Sequence, residues 1–428
     1  MSLAFIVMLI IFVLIFILNI PFPLGLMSAC IAYYWISGLK LSLVASTMMN
    51  YYYISYVMVA VPLFLLTANL MNSSKITDYI FDFSGALVGK RKGALGYVNV
   101  IASLIFAGMT GSYLSDAAGL GAIEMRAMKE KGYDDAFTCS ITAASAVLGP
   151  IFPPSIVFLM YAVITDVSIG KLFIAGIIPA IVLTISMLVY CYLAAKKRNY
   201  PEGDKLTVKE FFFMTARALP AILIPVVLLL GMYTGIFTPT EAASIACFYA
   251  LVVSALVYRT MGLKKFIGCM RDTVQSAGSV CIMVGASAVL SNIFLREGIS
   301  EVVTEFIIAI THGNSALFML AVIILLLILG CFIDASATLV IVVPLLTPVA
   351  AQLGIDLVQF GVVITVALML GFCTPPFGLG LFVVANIQKT PIGSIIKEIW
   401  KPILAMTVAL FALAYIPGIT LWLPSLLG

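Results

Sequence analysis

The residues best placed to do chemistry are two proline pairs that interrupt strongly apolar sequence. Pro153 and Pro154 lie in the stretch GPIFPPS, and Pro375 and Pro376 lie in GFCTPPFG. Proline lacks a backbone N–H and disrupts the hydrogen bond to the carbonyl four residues earlier, so each pair frees carbonyl oxygens in the preceding turn. Freed backbone groups persist in hydrocarbon only where they line a cavity or bind a ligand. Such oxygen-rich, charge-poor positions suit Na⁺, and the pattern predicts a cation site at each break.

A second interruption of the helix, called the tip below, precedes each proline pair and would form the other wall of each site. The two tips are GMTGS at residues 108–112 and GCFIDAS at residues 330–336. One proline pair alone favours a simple kink filled by hydroxyl side chains or water. Two pairs, each with its own preceding tip, favour binding sites instead. The residues offered by the first site are Ala107, Thr110, Ser112, Gly149, Phe152 and Pro154, and those offered by the second are Gly330, Gly371, Thr374 and Phe377.

An acidic residue lies at or just after each tip. Asp116 and Asp334 each lie where a carboxylate can cap the next helix or bind freed backbone N–H groups, and this structural role is the first expectation. Coupling to an ion or a proton is the sharper alternative, because acids inside the membrane are usually functional. Glu124 and Arg126 are expected to form an interfacial ion pair at the end of the same segment.

The composition identifies the elements that must position these residues. The chain has 428 residues, of which 63% are hydrophobic and 10% charged, whereas a soluble domain carries about 25% charged residues. Apolar runs of membrane-spanning length recur throughout, so we predict an all-α polytopic membrane protein. Eight scattered cysteines without a CxxC motif, and a single histidine, indicate neither a disulfide framework nor a metal cluster. The net charge of +4 reflects basic loops and gives no reason to expect nucleic acid as a partner.

The basic clusters indicate how the chain crosses the membrane. They lie at residues 90–92, 129–131, 196–198, 259–265 and 397–401 and mark the cytoplasmic side. About 36 residues separate Lys92 from Lys129, and two full spans need roughly 40 residues plus a turn. The segment between them is therefore predicted to be a re-entrant hairpin. A similar segment after Asn314 lacks basic flanks and is predicted to enter from the opposite side.

The same order of elements occurs in both halves of the chain, in opposite orientation, which predicts an inverted-topology repeat with two re-entrant hairpins and two discontinuous helices. The first repeat is predicted over residues 1–195, with scaffold helices over about 1–75, a hairpin over about 88–132, a broken helix over about 136–165 and a span over about 171–195. A cytoplasmic linker is predicted over residues 196–216. The second repeat is predicted over residues 217–428, with a hairpin over about 313–352, a broken helix over about 357–388 and a final span over about 402–425.

Four sequence blocks together carry a resemblance to a known family. They are FAGMTGSYLSDAAGLGAIEMRAMKEKGYD at 106–134, TAASAVLGPIFPPSIVFLMYA at 142–162, GCFIDASATLVIVVPLLTPVA at 330–350 and GFCTPPFGLGLFV at 371–383. In order and spacing, the chain resembles the large membrane (permease) subunit, DctM-like, of tripartite ATP-independent periplasmic (TRAP) transporters. The resemblance spans essentially the whole chain.

The resemblance implies a multi-pass protein of the bacterial inner membrane that imports an organic acid anion with sodium by an elevator mechanism. The implied partners are a small four-helix membrane subunit and a soluble periplasmic binding protein that delivers the substrate, together with membrane lipid. C4-dicarboxylates, keto acids, sugar acids, sialic acid and sulfonates are all compatible substrates. The hairpins and broken helices would form the mobile domain.

Two sodium sites are carried over by motif. One comprises Ala107, Thr110, Gly149, Phe152 and Pro154, and the other Gly330, Gly371, Thr374 and Phe377. The residues expected to line or support the substrate pocket are Ser112, Asp116, Pro153, Ser155, Asp334, Pro375 and Pro376. The chain has Thr110 where the family commonly has serine, and Ala107 where a hydroxyl can occur, so only a carbonyl contribution is expected at Ala107.

Other functions remain open at this point. A one-component Na⁺/carboxylate symporter of related architecture fits the same pattern. An intramembrane enzyme would need a catalytic group at membrane depth, yet the chain has no HExxH motif, and Asp116 and Asp334 would form an aspartyl dyad only if they met. A channel is a fourth alternative, disfavoured by the paired hairpins. We therefore expect a transporter rather than an enzyme.

Overall fold

The protein is a bundle of α-helices. The computed structural model describes residues 2–18, 20–54 and 56–426, and no strand occurs among them. The first half contains α1 (Leu3–Ile17), α2 (Phe22–Ile36), α3 (Ser42–Ile54), α4 (Ala60–Asn72), α5 (Ile76–Val88), α6 (Ala94–Thr110), α7 (Tyr113–Ser115), α8 (Gly121–Glu130), α9 (Asp135–Ser145), α10 (Ile156–Thr165) and α11 (Ile169–Arg198). A π-helical turn, Asp116–Leu120, joins α7 to α8, and two 3-10 turns occupy Tyr56–Val59 and Ala146–Leu148.

The second half is equally helical. It contains α12 (Val208–Tyr233), α13 (Pro239–Val252), α14 (Leu263–Arg296), α15 (Ile299–Thr311), α16 (Ser315–Phe332), α17 (Ala335–Gln352), α18 (Leu357–Phe372), α19 (Leu379–Gln388), α20 (Ile392–Tyr415) and α21 (Pro417–Ser425). A π-helical turn, Val253–Val257, extends α13. The final span predicted over 402–425 is divided, since α20 and α21 meet at a bend of 63°.

Local sequence explains where several helices begin. Thr207 and Thr238 each form a capping box with the glutamate three residues later, Glu210 and Glu241, so that both orphan backbone donors are satisfied. Asn314 and Asp356 cap α16 and α18 through their side-chain oxygens. These polar caps divide an otherwise continuous apolar sequence into separate helices.

Six helices among the described residues have the length and composition to cross a membrane. They are α11, α12, α13 with its π-helical extension, α14, α16 and α17. A seventh is counted if α20 and α21 together form one bent span. The prediction of a multi-pass helical membrane protein is therefore confirmed.

The two helices that lead into the proline breaks lie at the centre of the bundle. Every residue of α18 from Gln359 to Phe372 is buried, and so is every residue of α9 from Phe137 to Ser145. Helix α20 packs against both, and α16 packs along α18. In contrast, α1, α12 and α14 expose many large apolar side chains, as a lipid-facing surface requires. The helices that lead into the two breaks are thus surrounded by other helices.

Candidate cation sites at the broken helices

The first proline pair lies in a stretch where the helix stops and restarts. The backbone leaves helical geometry after Leu148 and resumes it at Ile156, and the Pro153-Pro154 peptide bond is cis. Ser155 begins the second half-helix, because its hydroxyl accepts a hydrogen bond from the backbone N–H of Phe158 at 3.1 Å and donates one to the Pro150 carbonyl. This non-helical stretch is largely buried.

The break leaves carbonyl oxygens without partners. Among the described residues, no hydrogen bond ends on the carbonyls of Gly149, Phe152 or Pro154. A buried carbonyl is normally paired, so three unpaired carbonyls within six residues form an unusual concentration of free acceptor oxygens. These are the three oxygens that the sequence predicts for the broken-helix wall of the first site.

The structure brings the predicted tip into contact with this break. Gly111 adopts a left-handed backbone conformation with φ of 59°, and a Cβ there would overlap the carbonyl of Pro154. A Cβ on Gly149 would lie 2.9 Å from the carbonyl oxygen of Ser112. The N–H of Ile156 donates to the Gly111 carbonyl at 3.4 Å. Only glycine allows this approach, and it joins the two predicted walls.

Two other predicted residues lie just before this tip. Ala107 is fully buried, and its carbonyl accepts from the N–H of Gly111 at 3.2 Å, which closes the end of α6. Thr110 is buried as well, and its hydroxyl donates to the Phe106 carbonyl at 3.4 Å. A carbonyl has two lone pairs and a hydroxyl can rotate, so both retain an oxygen lone pair for a cation.

The second proline break shows the same kind of glycine contact, here between α16 and α18. A Cβ on Gly330 would lie 2.7 Å from the Leu368 carbonyl oxygen and 3.0 Å from the Cα of Gly371. A Cβ on Gly371 would lie 2.8 Å from the Leu327 carbonyl oxygen. Two backbones therefore touch at this pair of glycines, as the sequence predicts for tip and broken helix.

Free oxygens also surround the second break. Thr374 donates its hydroxyl to the Leu370 carbonyl at 2.7 Å and its N–H to the Gly371 carbonyl at 2.8 Å. Within the described residues, no hydrogen bond ends on the carbonyls of Gly330, Thr374 or Phe377. The Pro375-Pro376 bond is cis, and Pro376 and Phe377 are exposed, with the Phe377 ring 5.1 Å from that of Phe332.

Comparison with known proteins decides the family. The model of the DctM component of tripartite ATP-independent periplasmic transporters matches residues 5–419. The chain belongs to this family. It is 40% identical over 372 residues to the sialic acid TRAP transporter large permease protein SiaM of Vibrio cholerae, covering 87% of each chain. It is 33% identical over 374 residues to the C4-dicarboxylate TRAP transporter large permease protein DctM of Pseudomonas aeruginosa, again covering 87% of each.

A longer relative and a solved structure extend the comparison. The sialic acid TRAP transporter permease protein SiaT of Haemophilus influenzae is 36% identical over 420 residues, covering 98% of this chain and 68% of that one. The YdaH transporter of Alcanivorax borkumensis shares the fold, with a TM-score of 0.64 at 14% identity, covering 87% of this chain and 86% of that chain. The DctM-family chain is therefore a TRAP transporter large permease, and its function is transport rather than catalysis.

The two predicted capping acids differ in this permease. Asp334 is exposed, and its carboxylate accepts from the Ser336 N–H at 2.9 Å, so the capping prediction is confirmed. For Asp116 the same prediction is wrong. The second helix of this pair begins after Ser112, and Asp116 lies one turn inside it, within the π-helical turn. Among the described residues, the hydrogen bond to its buried carboxylate comes from the Ser103 hydroxyl at 3.4 Å.

The expected ion pair between Glu124 and Arg126 is also wrong. Glu124 is fully buried, whereas Arg126 is exposed. Glu124 instead accepts from the side-chain amide of Asn99 at 2.6 Å. Residues two apart on a helix point in different directions, so one side chain faces the interior while the other faces outward.

Tyr113 is a residue of the first tip that sequence reasoning missed. Its hydroxyl accepts from the thiol of Cys373 at 3.4 Å, and its ring lies 5.0 Å from that of Phe372. A Cβ on Gly380 would also lie against the Tyr113 ring. The tip of the first site thus contacts both half-helices of the second break. The signal in the sequence is a tyrosine directly after GMTGS, but its partner is set by tertiary packing.

The linker after α11 packs over the predicted cytoplasmic ends of the first helix pair. The N–H of Gly203 donates to the Arg91 carbonyl, and the N–H of Gly93 donates to the Pro201 carbonyl, both at 3.0 Å. The Tyr200 ring stacks on Tyr133 with 4.3 Å between centroids. The linker therefore contacts the ends of both helices of this pair, before α6 and after α8.

Asp134 is the centre of a polar cluster between the linker and the ends of this helix pair. Its carboxylate accepts from the Tyr200 hydroxyl, from the Phe137 N–H at 2.9 Å and from the Arg198 guanidinium at 2.9 Å. Partial burial acts to raise the pKa of Asp134, but these hydrogen bonds and the positive charge of Arg198 outweigh it and hold the pKa below its ordinary value. Arg198 also pairs with Glu398 on α20, so the cluster joins the two halves of the chain.

Proposed function

We propose that this chain is the large membrane subunit of a sodium-coupled TRAP importer in the bacterial inner membrane. It would move an organic acid anion, delivered by a soluble periplasmic binding protein, and would work with a small four-helix membrane subunit. The observation that carries the proposal is the matched pair of breaks, each with unpaired carbonyls and each packed through glycine against a preceding tip. The runner-up is a one-component Na⁺/carboxylate symporter of related architecture.

The oxygens at the two breaks fit sodium by their chemistry. One site would use Ala107, Thr110, Gly149, Phe152 and Pro154, and the other Gly330, Gly371, Thr374 and Phe377. Carbonyl and hydroxyl oxygens are hard ligands, and unwound membrane helices use them for Na⁺. In the described chain, no group of three or more His, Cys, Asp or Glu side chains is arranged to hold a metal. The oxygens available at the two sites are backbone carbonyls and the hydroxyls of Thr110 and Thr374.

An anion site would lie beside the cations. Helices α10 and α19 both begin at a break, at Ser155 and Gly378. The N-terminus of a helix carries a partial positive charge, which favours a carboxylate. Pro153, Ser155, Pro375 and Pro376 lie along these two breaks, and Ser112 lies at the tip that meets the first break. These residues would shape the pocket, with Asp116 and Asp334 supporting the tips. Sodium at either site would add further positive charge for the substrate.

The mechanism would be an elevator. Two re-entrant hairpins, α6 to α8 and α16 to α17, together with the two broken helices would slide as one body against the peripheral helices. Sodium would order the two tips against the breaks and complete the pocket before the body moves. Because breaks and tips already touch through paired glycines, a small shift suffices to open or close each site.

The substrate class follows from the named relatives. They are transporters of sialic acid, C4-dicarboxylates, isethionate and 2,3-diketo-L-gulonate. All of these are organic acid anions, while their skeletons differ widely. The shared chemistry is a carboxylate or sulfonate group, which matches helix N-termini beside bound sodium.

Uptake into proteoliposomes tests this proposal. The chain would be reconstituted with its small subunit and supplied with the binding protein and a panel of these anions. We expect accumulation of one class of anion only when an inward sodium gradient and the binding protein are both present. Uptake that persists without the binding protein would favour the one-component symporter, and uptake unaffected by replacing sodium with potassium would overturn sodium coupling.

A further inference from the structure

Two carboxylates lie inside the first helix pair without a cationic partner. Asp116 is 1% exposed and Glu124 is 0% exposed. The ion pairs formed by the described residues include neither acid. Burial of an ionised carboxylate without a counter-charge is strongly unfavourable, so something must neutralise these two groups.

Helix α6 faces the two acids at a spacing of one helical turn. The Asn99 side-chain amide donates to Glu124 Oε2 at 2.6 Å, and the Ser103 hydroxyl donates to Asp116 Oδ1 at 3.4 Å. Residues four apart on a helix share a face, so Asn99 and Ser103 both point toward the second helix of the pair, α7 to α8. The acids therefore line the same polar seam between two packed helices, eight residues apart along the second helix.

Helix α9 completes the seam with hydroxyl oxygens. Thr142 Oγ1 accepts from the Asn99 amide at 2.9 Å, and Ser145 donates to Asn99 Oδ1 at 2.7 Å. One oxygen of each acid, Glu124 Oε1 and Asp116 Oδ2, is buried and has no hydrogen-bond partner. A native fold rarely leaves such atoms unpaired, so both oxygens point to a ligand that is not a protein atom.

Charges of both signs surround the seam, but within the described part of the chain none of the cations pairs with either acid. Arg126 and Glu130 lie on α8 itself and are exposed. The acids on elements packed against the segment from α7 to α8 are Asp78 and Asp82 of α5 and Asp135 of α9. The phenols and the thiol on the packed elements are Tyr79, Tyr97, Tyr113 and Cys139, while α19 contributes no titratable side chain. Lys129 of the same segment pairs with Asp135. The seam is thus a low-dielectric site that attracts a cation.

We propose that Glu124 and Asp116 line a third monovalent-cation site, separate from the two sites at the broken helices. Two carboxylates need two positive charges, so the ligands are two protons, or one proton and one sodium ion, and each occupies a free carboxylate oxygen. These cations move with the first hairpin and keep its charge balanced in hydrocarbon. The site belongs to the interior of the helix pair rather than to the breaks, so it stands even if sodium coupling at the breaks fails.

Thermal unfolding of the purified chain in detergent tests the site without any transport assay. The variants are Glu124→Gln and Asp116→Asn, which remove one charge each and keep nearly the same volume. Asp116→Asn serves if Glu124→Gln does not fold, because only one long hydrogen bond holds Asp116. Glu130→Gln is the matched control, since it removes an exposed carboxylate from the same helix, α8.

The two ligands give different results. If sodium is bound, each variant raises the sodium concentration for half-maximal stabilisation about tenfold, the effect of losing roughly one charged ligand. If only protons are bound, each variant keeps the sodium response, and its melting temperature depends less steeply on pH than that of the wild-type chain because one of the two acids remains. Glu130→Gln should match the wild type in both measurements. Variants whose sodium and pH responses both equal those of the wild type would overturn the site.

Discussion

At the scale of single residues, the two candidate sites consist of glycines and backbone oxygens rather than charged side chains. Gly330 and Gly371 permit two helices to touch, and Gly111 and Gly149 do the same for the first tip and break. The side chain that is best placed to contribute directly is Thr374, whose hydroxyl oxygen lies in the break and donates to the Leu370 carbonyl. Its oxygen retains lone pairs for a cation.

Replacement of Thr374 by alanine should weaken sodium activation of uptake about tenfold, since loss of one hydroxyl ligand costs roughly 1–2 kcal/mol. The measurement is the sodium concentration that gives half-maximal uptake in proteoliposomes. Thr407→Ala is the matched control, because Thr407 makes the same bond to the carbonyl four residues back, at 2.8 Å, on α20. Equal sodium activation in both variants would remove Thr374 from the site.

At the scale of elements, the breaks and tips could be predicted because they depend on local chemistry. A proline pair stops a helix wherever it occurs, and glycines marked the close contacts at both breaks. The position of Asp116 could not be predicted, because its burial depends on how its helix packs against α6. Asn99 and Tyr113 were missed for a related reason, since each acts through a partner brought close only by the folded bundle.

The linker cluster gives a pH-dependent prediction at this scale. Because the pKa of Asp134 is held below its ordinary value, its contribution to stability is complete at neutral pH and is lost as pH falls below about 4. Asp134→Asn should therefore lower the melting temperature at neutral pH, and the difference from wild type should shrink in acid. Asp204→Asn, which removes an exposed pair with Lys131, should have little effect. A difference that is constant from neutral to acidic pH would contradict the assignment.

At the scale of the whole molecule, both halves present the same sequence of parts. In each half, a helix pair precedes a buried helix, a proline break and a ten-residue half-helix. The first break is buried, whereas Pro376 and Phe377 of the second are exposed. The two breaks therefore differ in access, since the second reaches the surface of this chain and the first does not.

A cross-link between the proposed moving body and a peripheral helix tests the elevator. A Cβ on Gly108 would lie 3.0 Å from the Cβ of Pro225 on α12, close to the separation of roughly 3.5–4.5 Å in disulfides. Gly108→Cys with Pro225→Cys, in a chain without other cysteines, should lose uptake on oxidation and regain it on reduction. The control pair, Ile15→Cys with Gly25→Cys, joins two peripheral helices and should remain active. Full uptake by the oxidised Gly108–Pro225 pair would contradict movement at this contact.

The central claim is that sodium binds at the broken helices and drives the anion inward, and simultaneous uptake of radioactive sodium and labelled anion tests it most directly. Vesicles with the wild-type chain should take up both in a fixed ratio. Gly149→Ala, whose new Cβ would meet the Ser112 carbonyl, should lose both together. Gly393→Ala, where a Cβ meets open space, should retain both. Anion uptake that continues in Gly149→Ala vesicles, or that proceeds in wild-type vesicles without sodium uptake, would contradict the account.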